Sequence, residues 1–166
     1  MNVLDRLSAL LKGLAPSQEA ASGYSPEDPR VASAALMFHV IDADGIRRED
    51  EKARLNEVLS DAYGIDGAEL RKLIEAGEQA EQQAIDLYAF TRVLKRALDH
   101  GQRCEFIEVM WEMVYADGER HELEDNIVWR VAELIGVDRK DRIALRQRVA
   151  ARAERGDIEL EGEDGA

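Results

Sequence analysis

One short pattern occurs twice in this chain and constrains most of what it can fold into. Residues 43–51 read Ala-Asp-Gly-Ile-Arg-Arg-Glu-Asp-Glu, and residues 116–124 read Ala-Asp-Gly-Glu-Arg-His-Glu-Leu-Glu. In each, an apolar helical run ends, Asp-Gly turns the chain, and acidic residues open another helix. Setting Asp44 on Asp117 also sets Met37 on Met110, Arg47 on Arg120, Glu49 on Glu122, Glu51 on Glu124 and Val58 on Val131. With one residue dropped, Gly64-Ile65-Asp66 falls on Gly136-Val137-Asp138. Two copies of one supersecondary unit within a single domain are expected.

The apolar positions recur at helical spacing throughout, and no stretch alternates with period two for long. Pro is scarce, while Leu, Ala, Glu and Arg are abundant, so the chain reads as all-α. A hydrophobic content of 45% over 166 residues is enough for a packed core. The formal net charge of −13 argues against nucleic-acid phosphates and anionic membranes as partners, since those require Lys/Arg stripes. Cations and basic proteins or peptides fit better, although acidity also serves solubility alone. A single cysteine, Cys104, excludes an internal disulfide and points to a reducing compartment. With no signal-type segment and no apolar run of about 20 residues, the cytoplasm is the expected location.

Residues 1–15 are expected to hold an amphipathic helix over 2–14, with Val3, Leu4, Leu7, Leu10, Leu11 and Leu14 on one face. That face could dock on the domain, meet another protein or lie on a membrane. Its polar side carries only Arg6 and Lys12 against Asp5, which favours the first two. Residues 16–28 form a Pro- and Ser-containing linker. The main domain spans 29–155, entered through Asp28 as N-cap and Pro29 in the first turn. Its expected helices cover 29–43, 48–63, 67–77, 82–99, 102–116, 121–135 and 139–153. Gly64 and Gly136 act as stops, and Asp66 and Asp138 as caps. Gly77 is read as the end of the third of these helices. Ile85, Leu87 and Tyr88 are assigned to the packing face of the fourth, and Ile143 to that of the last. Residues 156–166 are an acidic tail.

The doubled helix–Ala-Asp-Gly-x5-Glu–helix–Gly-(Ile/Val)-Asp pattern, at 43–66 and 116–138, resembles the TerB-like family of bacterial tellurite-resistance proteins. The Asp28-Pro29 entry into an Ala-rich helix agrees, and the likeness covers about residues 29–150. The resemblance implies a compact all-α bundle of two pseudo-symmetric helical repeats with no established enzymatic activity. It also implies a role in tellurite or other stress responses. Related domains occur joined to J-type and membrane-associated modules. This sequence carries no J-domain His-Pro-Asp, so those partners do not transfer.

The chemistry the residues offer centres on Asp44, Glu51, Asp117 and Glu124, with Glu49 and Glu122 secondary. Carboxylate oxygens suit hard cations such as Ca²⁺ or Mg²⁺. Asp42-x-Asp44-Gly45-x5-Glu51 reproduces the spacing of an EF-hand loop from its third position to its twelfth. Val40 stands where the first acid belongs; in the second copy Met113 and Tyr115 replace the first and third ligands. The lost ligands argue against a true EF-hand and leave weak divalent-cation binding as the reading. The competing reading is architectural: Asp before Gly makes a turn, and Glu in a first turn complements the helix dipole. If Arg47 and Arg120 pair with the motif acids, the charge is already neutralised.

Of the three histidines, His39 reads as a core or boundary residue, and His100 as a helix end. Only His121, among acids, resembles a ligand, and no His or Cys partner is identified at zinc spacing. Cys104 is read first as a small buried hydrophobe. Trp111, Trp129, Phe38 and Phe106 are read as core. No nucleophile elbow, P-loop or dinucleotide fingerprint appears. The reading is a non-enzymatic, cytoplasmic TerB-like module acting through protein contacts. A divalent-cation sensor and a metal-dependent hydrolase using the same carboxylates are the alternatives.

Overall fold

The computed structural model describes residues 3–12, 24–25, 27–42, 49–115 and 122–158; at Leu4 and Glu49–Glu51 it describes the backbone alone. Among these residues there are eight helices and no strand. They are α1 (Val3–Lys12), α2 (Pro29–Ile41), α3 (Glu49–Tyr63), α4 (Gly67–Gln83), α5 (Tyr88–Ala97), α6 (His100–Tyr115), α7 (Glu122–Ile135) and α8 (Arg139–Glu154).

Local chemistry sets most of the helix ends. Asp28 is extended at the N-cap of α2 and accepts from Arg30 N at 2.9 Å, with Pro29 supplying a pre-set φ where no N–H is needed. Asp138 does the same for α8, accepting from Asp141 N at 2.8 Å. Asp66 occupies the N-cap position of α4 but makes no side-chain cap hydrogen bond. Gly64 (φ 63°) and Gly136 (φ 93°) adopt the left-handed conformation that ends α3 and α7. Ile65 N then donates back to Ser60 O at 3.2 Å and Val137 N to Ala132 O at 2.9 Å, which satisfies carbonyls the helices leave open.

Helices α2 and α6 form the centre and are buried on nearly every side. Phe38, Leu36, Ala32 and Ala35 of α2, and Phe106, Ile107, Val109 and Trp111 of α6, are fully enclosed. An all-round apolar surface requires neighbours on all sides. Accordingly α2 packs on α3, α4, α5 and α7, and α6 on α1, α7 and α8. Helix α1 bridges α3 and α6, as α5 bridges α7 and α2.

The apolar face of α1 is part of this core. Val3, Leu7, Leu10 and Leu11 are buried, each worth roughly 1.5–3 kcal/mol of transfer free energy. Ser8 Oγ donates to Asp61 Oδ2 at 2.6 Å and fixes the helix on α3. Of the three fates open to this helix, docking on its own domain is the one seen for Val3, Leu7, Leu10 and Leu11; the Leu4 side chain and Leu14 lie outside the described residues.

Several expectations are corrected. Gly77 does not end a helix; α4 continues to Gln83, and Gly77 lies buried against α2. A Cβ there would stand 2.9 Å from Ala34 Cβ, so this glycine serves close helix approach. Helix α5 starts at Tyr88 and not near residue 82. Its inward stripe is Phe90, Val93 and Leu94 at helical spacing, with Leu98 beyond its end. Ile85, in the preceding turn, is fully exposed, and Tyr88 is exposed because two residues from Phe90 means about 200° around the axis. The same angle separates Ile143, which is exposed, from the buried Leu145 of α8.

Candidate functional site

The two acidic bends join α2 to α3 and α6 to α7. Asp44 and Asp117 themselves, with Arg47, Arg120, Glu119 and His121, lie outside the described residues. Glu49 and Glu51 are in the first turn of α3, their side chains likewise outside the description. Glu122 is exposed and Glu124 half-buried in the first turn of α7. Asp42 is half-buried at the C-cap of α2, its N–H donating to Phe38 O at 3.0 Å. The ligand set expected from the sequence is thus represented in full side-chain detail by Glu122 and Glu124.

What the structure adds is how the helices on either side of the second bend are joined. Trp111 Nε1 donates to Asp125 Oδ1 at 2.9 Å. Arg146 of α8 grips the same carboxylate with Nε at 2.9 Å and Nη2 at 2.5 Å. Burial alone would raise the Asp125 pKa, but hydrogen bonds from Arg146, Tyr115 and Trp111 together hold it below the usual carboxylate range. The phenol of Tyr115 is pushed up by burial first and then by Asp125. One carboxylate therefore ties the C-terminal part of α6 and the first turn of α7 to the middle of α8. At the corresponding place in the first unit stands Lys52, paired with Glu78 at 3.3 Å, so the polarity is reversed. The Asp125 clamp was missed by sequence reasoning, since Arg146 lies far away along the chain.

A second polar group is buried in the core. Glu112, 1% exposed, interrupts the apolar run of α6. Arg6 Nη1 of α1 donates to its Oε1 at 2.5 Å, and Arg152 Nη2 of α8 donates to the same oxygen. Arg152 also reaches Glu108 Oε1 at 3.2 Å. The only sequence signal is an acid within the apolar stretch Phe106–Tyr115. This joint explains how α1 is locked to α6 and α8.

The histidines need one correction. His39 is the boundary residue expected, its Nδ1 3.1 Å from Glu81 Oε1. His100, however, does have a cysteine partner. Cys104 lies one turn further along α6, with Sγ 3.7 Å from His100 Nε2. The same Nε2 is 3.5 Å from Asp141 Oδ2 of α8. Donor atoms of all three lie within 4.8 Å of one another. The i, i+4 spacing was legible in the sequence; the third member was not. Cys104 is half-buried rather than enclosed, and burial, Asp141 and Asp138 push its thiol pKa up. The aromatic residues behave largely as core: Phe38, Phe106 and Trp111 are fully buried. Trp129 is half-buried, its ring 6.2 Å from Trp111 and covered by the Arg142 guanidinium at 4.9 Å.

No helix among the described residues is long and apolar enough to cross a membrane. No curated protein and no solved structure matched the chain. The family model described as tellurite resistance protein TerB matches residues 30–147, from the first residues of α2 well into α8. With that match over an all-helical body, the chain belongs to the TerB family.

Proposed function

We propose that this chain is a non-enzymatic, cytoplasmic TerB-like module that works in a stress or tellurite response through protein contacts. Its two Ala-Asp-Gly-x5-Glu bends offer weak binding to a hard divalent cation, Ca²⁺ or Mg²⁺. The observation that carries the cation reading is the doubled motif itself, with Glu122 and Glu124 in the first turn of α7 and Glu49 and Glu51 in that of α3. A net charge of −13 supports cations and basic segments of protein as the partners. The helix pairings favour a pseudo-symmetric duplication: α1–α4 and α5–α8 use their members alike, with α1 on α3 and α6 matching α5 on α7 and α2.

Calorimetric titration with Ca²⁺ and Mg²⁺ tests the cation part. Binding by the native chain that is lost in the Asp44→Ala/Asp117→Ala variant, with thermal unfolding unchanged, is the expected result. Binding that survives both substitutions, or none at millimolar metal, would limit the acids to helix capping. A large change in helix packing on metal addition would shift the reading to a sensor.

A further inference from the structure

We propose that His100, Cys104 and Asp141 form a binding site for a borderline divalent transition metal, Zn²⁺ in the first instance, between the starts of α6 and α8. The donor set is imidazole nitrogen, thiolate sulfur and carboxylate oxygen, which Zn²⁺ accepts in tetrahedral sites and hard cations do not. Two of the three donor–donor edges already match a tetrahedral zinc site. With zinc–ligand bonds of ordinary length, tetrahedral edges come to about 3.6 Å for S···N and about 3.3 Å for N···O. The observed separations are 3.7 Å from Cys104 Sγ to His100 Nε2 and 3.5 Å from that Nε2 to Asp141 Oδ2. The third edge, Cys104 Sγ to Asp141 oxygen, lies within 4.8 Å, so one ion can take all three donors once that edge closes to the tetrahedral S···O value of about 3.6 Å, leaving a fourth position for water.

The ligands are held on prepared positions. Asp99 and Gln102 cap α6 reciprocally, Asp99 N donating to Gln102 Oε1 at 2.9 Å and Gln102 N to Asp99 Oδ1 at 2.8 Å. That box fixes the turn bearing His100, and Cys104 follows on the same face. Asp138 caps α8 and fixes the turn bearing Asp141. The neighbouring cations are turned to other partners. Arg103 donates to Leu98 O at 2.9 Å and Lys95 O at 2.5 Å, and Arg148 lies 4.0 Å from Glu108. The positive ends of two helices favour the anionic ligands and oppose the dication, which keeps the affinity modest. The repeat does not dictate the trio: Glu27, Val31 and Glu69 stand at the matching places of the first unit. The site lies at the start of α6, about 20 Å along the helix from its other end at Tyr115, so it can be tested apart from the acidic bends.

Coordination replaces the Cys104 thiol proton by the metal, and the proton passes to buffer. The test uses the full chain under a non-chelating reductant, with Co²⁺ as the spectroscopic probe and Zn²⁺ as competitor. About one Co²⁺ per chain should bind with a thiolate-to-cobalt absorption in the near ultraviolet, displaced by Zn²⁺. Cys104→Ser should abolish that band, and His100→Ala and Asp141→Ala should each weaken binding by at least about tenfold. Asp44→Ala/Asp117→Ala should leave the band intact, which separates this site from cation binding at the bends. His100, Cys104 and Asp141 are half-buried or exposed, and unchanged thermal unfolding of each variant will verify its fold. Absence of the band at millimolar Co²⁺, or its persistence in His100→Ala/Asp141→Ala, would overturn the proposal.

Discussion

The buried ion cluster around Glu112 makes an asymmetric prediction. Its carboxylate is 2% exposed, whereas the side chains of Arg6 and Arg152 are 23% and 27% exposed. Replacing both arginines by methionine keeps their aliphatic packing but strands a buried anion, at a cost of about 3–5 kcal/mol. Replacing Glu112 by glutamine keeps shape and one acceptor, and leaves guanidinium groups that can turn to water or to Glu108. That change should cost about 1–2 kcal/mol. For a chain of this size the first corresponds to a fall in Tm of about 6–20 °C and the second to about 2–8 °C. Urea denaturation at neutral pH, run with each single variant as a double-mutant cycle, measures both. The single Arg6→Met change should fall between them, because Arg152 still holds the same oxygen. If Glu112→Gln proves as damaging as the double arginine variant, or if the latter lies within about 1 kcal/mol of wild type, the reasoning from unequal burial is wrong.

Other outcomes follow from the same geometry. Leu11→Ala should cost about 2–5 kcal/mol, as for any core leucine, since α1 is integral to the fold; loss of less than about 1 kcal/mol in chemical denaturation would mean α1 docks only loosely. Gly77→Ala should destabilise by about 1–3 kcal/mol through its clash with Ala34, despite the helix propensity gained. Adding Ala34→Gly should recover much of that loss in thermal unfolding. Folding lowers the Asp125 pKa below its ordinary 3.8, so the clamp stabilises the native state above that value. The contribution fades as pH falls through the lower native value, and Asp125→Asn should remove that part of the acid-denaturation profile. An unchanged acid limb in that variant would show that the clamp does not couple to folding.

What the amino-acid sequence determined by itself is whatever depends on neighbours a few residues apart. Asp28-Pro29 starts α2, Gly64 and Gly136 end α3 and α7, and Asp138 opens α8, because caps and left-handed turns are settled within one helical turn. The continuous apolar character of α2 and α6 likewise requires cover on every side, and both lie at the centre. The tertiary structure decided everything that needs a partner from elsewhere. Gly77 reads locally as a stop, yet its meaning comes from Ala34 across the interface. Glu112 reads as a flaw in an apolar run until Arg6 and Arg152 arrive from both ends of the chain. His100 and Cys104 share a face by helical period, but Asp141 joins them only because α8 packs along α6. Backbone geometry acts over four residues, whereas the cover and charge a side chain meets are set by packing between segments distant in sequence.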